Sequence, residues 1–304
     1  MSQSQSSDLQ QTLKGIGWMI ATGMLFAGVT AIVRYLGSDM PAIEAAFIRY
    51  LIGFILILPI FISALSSQSY KSNLGLYAVR GLVHGGAVML WFYAMARIPM
   101  AEVTAIGYTA PIFVTIGAAL FLGERLHIHR ILAVVVGLIG VFIIIRPGFQ
   151  EVGLGQLAQL SAAPLFAASF ILAKRFTGET SPSEIVAWLS FFCTLVLLPG
   201  AIWQWRHPTL EELMWLGLTA VFATIGHYTL TKAFASAPIT VTQPVSYLQL
   251  VWAVLIGIAL FGEPVDPFVL LGGAVIVSAI TYISHRELRR ARKQVTPAAN
   301  ETKI

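Results

Sequence analysis

Apolar runs about twenty residues long recur along almost the whole chain, at approximately 15–35, 43–63, 77–96, 100–122, 128–145, 153–174, 184–203, 211–235, 239–261 and 267–284. A helix rising 1.5 Å per residue needs about 20 such residues to cross the hydrocarbon of a bilayer. Ten of them predict an all-α polytopic membrane protein with ten transmembrane helices. Strands of a membrane barrel would alternate in character over about ten residues, and these runs do not. Composition points the same way. Apolar residues make up 57% of the chain and charged residues 11%, against about 25% charged in ordinary soluble domains. Too few charges remain to coat a water-exposed surface. The links between runs are short, and several carry Pro or Gly, as at Ile98-Pro99, Arg146-Pro147-Gly148 and Ala237-Pro238.

Lysine and arginine set the orientation, because cytoplasmic loops collect them. With a cytoplasmic N-terminus, only Arg34, Arg97, Arg146 and Arg206 fall in outer loops and Arg49 falls within a span. The other fourteen of the 19 basic residues lie on the inner side. Both termini are then cytoplasmic, which requires an even helix count. The segment from His285 to Lys293 holds Arg286, Arg289, Arg290, Arg292 and Lys293. It reads as a topology anchor against anionic lipid, so the net charge of +5 points to membrane and not to nucleic acid.

The two halves resemble each other. A shift of 140 residues carries Leu25-Phe26-Ala27 onto Leu165-Phe166-Ala167, Arg34 onto Lys174, Glu44 onto Glu184, and Leu58-Pro59 onto Leu198-Pro199. A shift of 139 carries Pro99 onto Pro238, Tyr108 onto Tyr247, and Gly123-Glu124 onto Gly262-Glu263. Five spans is an odd number, so the second copy is expected to enter the membrane from the opposite face. Inverted repeats of this kind recur in secondary transporters.

Several segments carry a family resemblance: Arg80-Gly81, Ala101 to Ile106, Ala110-Pro111-Ile112-Phe113-Val114, Phe121 to Arg125, Ile145 to Gly148, and again Pro244 to Tyr247 and Leu260 to Pro264. In order and spacing they resemble the EamA repeat of the drug/metabolite transporter superfamily. The stretch from Arg80 to Glu124 is most similar to the branch of riboflavin and S-adenosylmethionine uptake carriers. The resemblance implies an inner-membrane protein of two inverted five-helix repeats around a central cavity lined by spans 1, 3, 4, 6, 8 and 9. It divides the chain into a polar cytoplasmic N-terminus (1–14), a first repeat (15–148), a second repeat (149–285) and a basic cytoplasmic tail (286–304).

Polar and ionisable groups inside spans are costly and hence functional candidates. His84 and His227 fall in spans 3 and 8, where imidazole can bind a solute or respond to protons. Tyr228, Tyr108, Tyr247, Gln243 and Gln249 add hydrogen-bonding groups. Trp91, with Phe26, Phe166 and Trp252, can supply an aromatic wall on which a planar or heteroaromatic solute stacks. These histidines, tyrosines and glutamines, with Trp91, are the expected substrate-binding set. Arg49, Arg80, Glu124 and Glu263 are expected to lock or gate. Pro111 and Pro164 are expected to bend their spans, while Pro59 and Pro199 are expected to end theirs.

No Gly-x-x-x-x-Gly-Lys-Ser/Thr loop and no His-Glu-x-x-His pair occurs in the sequence, so neither an ATP pump of that type nor a zinc site is expected. The sequence calls for no catalytic residue, metal or cofactor. Its expected partners are a small-molecule solute and the lipid bilayer, with the protein a monomer or homodimer. A secondary carrier of a small organic metabolite is the function this pattern favours, uptake slightly ahead of export. A channel or a non-transporting scaffold is the alternative of a different class.

Overall fold

The computed structural model describes residues 3–67, 71, 73–110, 112–113, 128–146, 151–237, 242 and 245–295. Its helices follow the apolar runs: α1 (Gln3–Leu36), α2 (Ala42–Ser67), α3 (Leu74–Met95), α4 (Met100–Gly107), α5 (Ile128–Ile145), α6 (Leu154–Phe176), α7 (Pro182–Trp203), α8 (Leu210–Ser236), α9 (Leu248–Phe261) and α10 (Pro267–Val295). No strand occurs among the described residues. Six of these helices are long and apolar enough to cross a bilayer: α1 from Gln10, α2 as far as Ser66, α3, α6, α7 and α8. Shorter apolar stretches occupy Val134–Ile145, Leu248–Phe261 and Pro267–Ala279.

Some boundaries differ from expectation. The polar N-terminal segment is already helical from Gln3. Helix α9 runs Leu248–Phe261; residues 242, 245 and 246 before it are also helical, and 238–241, 243 and 244 lie outside the described residues. Pro59 and Pro199 do not end their helices but lie inside α2 and α7, as Pro164 does inside α6. A membrane helix tolerates such prolines because neighbouring helices and side chains compensate the lost backbone donor. Pro111, Glu124 and Gln243 lie outside the described residues.

The packing is that of a membrane bundle. Leu56, Leu82, Phe142 and Leu271 are each more than half exposed, while Ala46, Ala87, Ala94, Ala162, Ala187, Ala223 and Ala233 are fully buried. Many large apolar side chains thus face outward and small ones sit at close helix contacts, while Trp188, Tyr77 and Phe176 fill the interior between them. Without a hydrophobic force between helices, close van der Waals approach holds such a bundle together. A Cβ built on Gly81 would lie 2.2 Å from the Phe192 Cβ, so only glycine lets α3 approach α7 there.

Pairing between helices respects the two halves. Helix α1 lies along α8 and α3 along α6; α2 lies along α7, α5 along α10 and α4 against α9. Exchanging each helix with the one five places on converts the first two pairings into each other and leaves the last three unchanged. Individual bonds repeat the relation. Arg34 at the end of α1 donates to the Met95 carbonyl at the end of α3 (3.3 Å). Lys174 at the end of α6 donates to the Phe234 carbonyl near the end of α8 (2.5 Å).

One end of the bundle carries a dense set of polar ties. Arg34 pairs with Glu263 at 2.8 Å, and the second oxygen of Glu263 accepts the Met100 N–H (3.0 Å). Arg146 pairs with Asp266, and Arg206 with Glu212. The Arg206 N–H also donates to the buried Glu44 (3.2 Å). Hydrogen bonding to the Glu212 carboxylate holds the Arg206 guanidinium above its usual range, so it stays charged. Thr209 closes a capping box at the start of α8: its hydroxyl accepts the Glu212 N–H while the Glu212 side chain accepts the Thr209 N–H. Thr209→Ala is expected to cost about 1 kcal/mol, the usual worth of such a cap, read as a lowered midpoint of thermal denaturation in detergent.

Candidate functional site

Helices α1, α2, α3, α4, α6, α8 and α9 surround a central cavity of about 210 Å³. It runs from Val103 and Thr104 near the start of α4 to Met19 on α1 and Phe234 near the end of α8. Met19 lies fifteen residues before Arg34 on the same helix, which is roughly 22 Å along its axis. The cavity therefore reaches deep into the bundle from below the polar ties.

Its centre is a row of rings. Phe26 meets His227 edge-on (5.1 Å between centroids), His227 meets His84 (5.0 Å), and His84 meets Phe166 (5.3 Å). Phe26 and Phe166 are repeat-related in sequence, and so are α3 and α8, which carry the two histidines. The row thus has the same order read from either half. A small residue keeps it in place: a Cβ on Gly226 would lie 3.3 Å from the Phe26 Cζ. The His84 Nδ1 is hydrogen-bonded to the Ser169 hydroxyl (2.8 Å). Thr22 and Thr229 share a hydrogen bond of 2.8 Å across α1 and α8.

Of the expected substrate-binding residues, His84, Trp91, Tyr108, His227 and Gln249 line the cavity. Tyr247 does not. It packs edge-on against Tyr108 (4.9 Å), and Tyr108 uses its hydroxyl to donate to the Tyr247 carbonyl (3.0 Å) and accept the Leu250 N–H (2.8 Å). Tyr228 also faces away, packing with the apolar cluster around Phe61 and Trp188 and with the Lys232 ammonium 5.6 Å from its ring. On a helix, the residue next to a cavity-facing His227 points about 100° away, which is why adjacency in sequence misled. Phe26 and Phe166 line the cavity, whereas Trp252 is not among its lining residues and is over a third exposed.

Arg49 also lines the cavity, its guanidinium 3.9 Å above the Tyr50 ring. Arg80 is fully internal and donates to the Ile185 carbonyl (3.1 Å), tying α3 to α7. Sequence reasoning passed over Thr22, Thr30, Thr104, Gln159 and Phe170, which face the cavity as well. Gln159 carried a usable signal, a polar amide inside an apolar run. The threonines carried none, since Thr30 and Thr104 bond the carbonyl four residues back and so pass as ordinary helix residues.

Glu263 is held by local backbone design. Gly262 ends α9 in the left-handed region (φ 61°), and the Glu263 N–H returns to the Gly257 carbonyl (3.0 Å). A Cβ on Gly257 would lie 2.7 Å from the Glu263 carboxylate. Both glycines are therefore needed to bring that carboxylate to Arg34.

Comparison with known proteins agrees with this architecture. The chain is 29% identical over 288 residues to a riboflavin transporter of Vibrio cholerae serotype O1, covering 93% of this chain and 96% of that protein. It is 31% identical over 287 residues to a riboflavin transporter of Rhizobium johnstonii, covering 92% and 93%. An S-adenosylmethionine uptake transporter of Rickettsia bellii is 27% identical over 281 residues, covering 92% and 97%. A solved crystal structure 18% identical in sequence shares the fold, with a TM-score of 0.57 over 94% of this chain and 99% of that one. The EamA-like transporter family model matches twice, over residues 13–146 and 153–285, one match for each half of the bundle. The chain belongs to the EamA-like transporter family, membrane transporters of small metabolites built from two such repeats.

Proposed function

We propose that the protein is a secondary carrier that moves a small organic metabolite across the inner membrane by alternating access, with uptake the favoured direction. Its ten helices form two inverted repeats, 15–148 and 149–285, and both termini are cytoplasmic. The single observation that carries this reading is the central cavity lined by helices of both halves, where the rings of Phe26, His227, His84 and Phe166 repeat in order from either half. A site shared by two similar bundles can open to either side as one rocks against the other. The ties at the face carrying Arg34, Arg146 and Arg206 support a form closed to the outside. The names of its relatives support a vitamin- or nucleoside-like cargo taken up from outside.

Reconstitution tests this directly. Proteoliposomes loaded with unlabelled riboflavin are expected to take up external labelled riboflavin saturably and faster than empty ones. Flux that rises linearly with concentration and ignores solute on the far side contradicts a carrier and favours a channel. Export of the same solute against uptake separates the two directions for this fold.

A further inference from the structure

Three buried polar groups that line the cavity have hydrogen-bonding capacity that no described residue uses. Arg49 is 5% exposed, and its Nε and Nη1 have no partner. His84 is 1% exposed, with Nδ1 bonded to Ser169 but Nε2 unbonded. Gln159 is 3% exposed, with its Oε1 unbonded. All three line the same cavity. Buried polar atoms are nearly always paired, and an arginine inside a membrane is paired with an acid or with carbonyls. Here no described residue forms an ion pair with Arg49, and no Asp or Glu is among the described residues lining the cavity. Glu102 at the start of α4 is not among them either; it is occupied by Gln156 (3.0 Å).

We infer that Arg49, with His84, is the specificity pole of the cavity, taking the carbonyl or carboxylate oxygens of an aromatic solute and excluding cations. This rests on the proposed carrier site and says what chemistry that site accepts. The guanidinium of Arg49 offers its donors as a planar fork suited to paired oxygen acceptors. The aromatic wall of Phe26, Trp91 and Phe166 takes the flat body of such a solute. Gln159, an unfilled acceptor, takes a donor on the solute. A sulfonium or ammonium solute brings a second positive charge beside Arg49 with no carboxylate to offset it.

Ligand binding to the purified full-length protein tests this without altering it. Riboflavin and 2-naphthoate are expected to bind, and two cations without a carboxylate, 2-naphthylmethylammonium and 5′-deoxy-5′-(dimethylsulfonio)adenosine, to bind at least about tenfold more weakly. Arg49→Gln is expected to weaken riboflavin and 2-naphthoate by about tenfold or more, the loss of a charge-assisted pair, and to narrow the gap to the cations. Arg49→Lys is expected to keep part of the affinity for 2-naphthoate. Equal or tighter binding of either cation to the unaltered protein overturns the inference, whether or not the variants fold. So does an Arg49→Gln protein that folds and keeps its affinity for both acceptors. Arg49-dependent binding without counterflow removes the carrier reading and leaves this one. Counterflow of the carboxylate-free sulfonium alone does the reverse.

Discussion

Gly272→Leu is expected to stop α10 docking on α5 and to unfold the protein at a much lower temperature than the parent. A Cβ at Gly272 would lie 2.5 Å from the Gly140 carbonyl oxygen, and one at Gly140 would lie 2.8 Å from the Gly272 carbonyl oxygen. The two glycines face each other across the crossing, so each helix presents bare backbone to the other. Backbone cannot rotate aside as a side chain can. Three further carbons in that space push the helices apart and forfeit the contacts along both, a cost of about 3 kcal/mol or more, at the upper end for overpacked interiors. Gly75→Ala on α3 is the matched control, because a Cβ there meets nothing within 4 Å. Alanine is the better helix former, so that variant is expected to melt at the parent temperature or slightly above. Differential scanning fluorimetry of both variants in the same detergent reads the contrast. Equal melting of the two contradicts the packing described here.

The second large effect is expected from Glu263→Gln. The carboxylate joins Arg34 on α1 and the Met100 N–H at the start of α4, bridging the first repeat to the end of α9 in the second. Glutamine keeps an oxygen for the Met100 N–H but loses the ion pair. Arg34 is about a quarter exposed and Glu263 nearly buried, so the pair lies between a surface bridge, worth about 0–1 kcal/mol, and a buried one, costing about 3–5 kcal/mol to break. Taking about 1–3 kcal/mol, the closed form loses roughly a factor of five to 150 in population. A cycle that must pass through that form then slows. Arg34→Ala is expected to act in the same direction, and the double variant to cost less than the sum, because the two residues act through one contact. Initial uptake rates in proteoliposomes read all three.

The helices were legible in the sequence because lipid demands long apolar runs: α8 begins and ends, and α5 ends, within a residue or so of where hydropathy places them. The duplication was legible from a constant offset, which also related Glu263 to its equivalent in the first half. What hydropathy does not carry is which side of each helix turns inward. His84, His227 and Trp91 were found because polar and aromatic residues in a span are conspicuous. Tyr228 and Tyr247 were conspicuous for the same reason and face elsewhere. The partner of Glu263 was not legible at all. Arg34 lies 229 positions away in sequence, and only the fold of α9 through Gly257 and Gly262 brings the two together.

The proposed transport cycle depends on the cavity being open to one face at a time. Single cysteines at Thr104, beside the Arg34–Glu263 tie, and at Met19, at the far end of the cavity, test it in a background with the buried Cys193 replaced by alanine. Labelling with an impermeant maleimide from each side of the membrane measures access. Introducing Glu263→Gln is expected to raise labelling at position 104 from outside and lower labelling at position 19 from the cytoplasmic side. A rise at both positions together, or no change at either, contradicts alternating access.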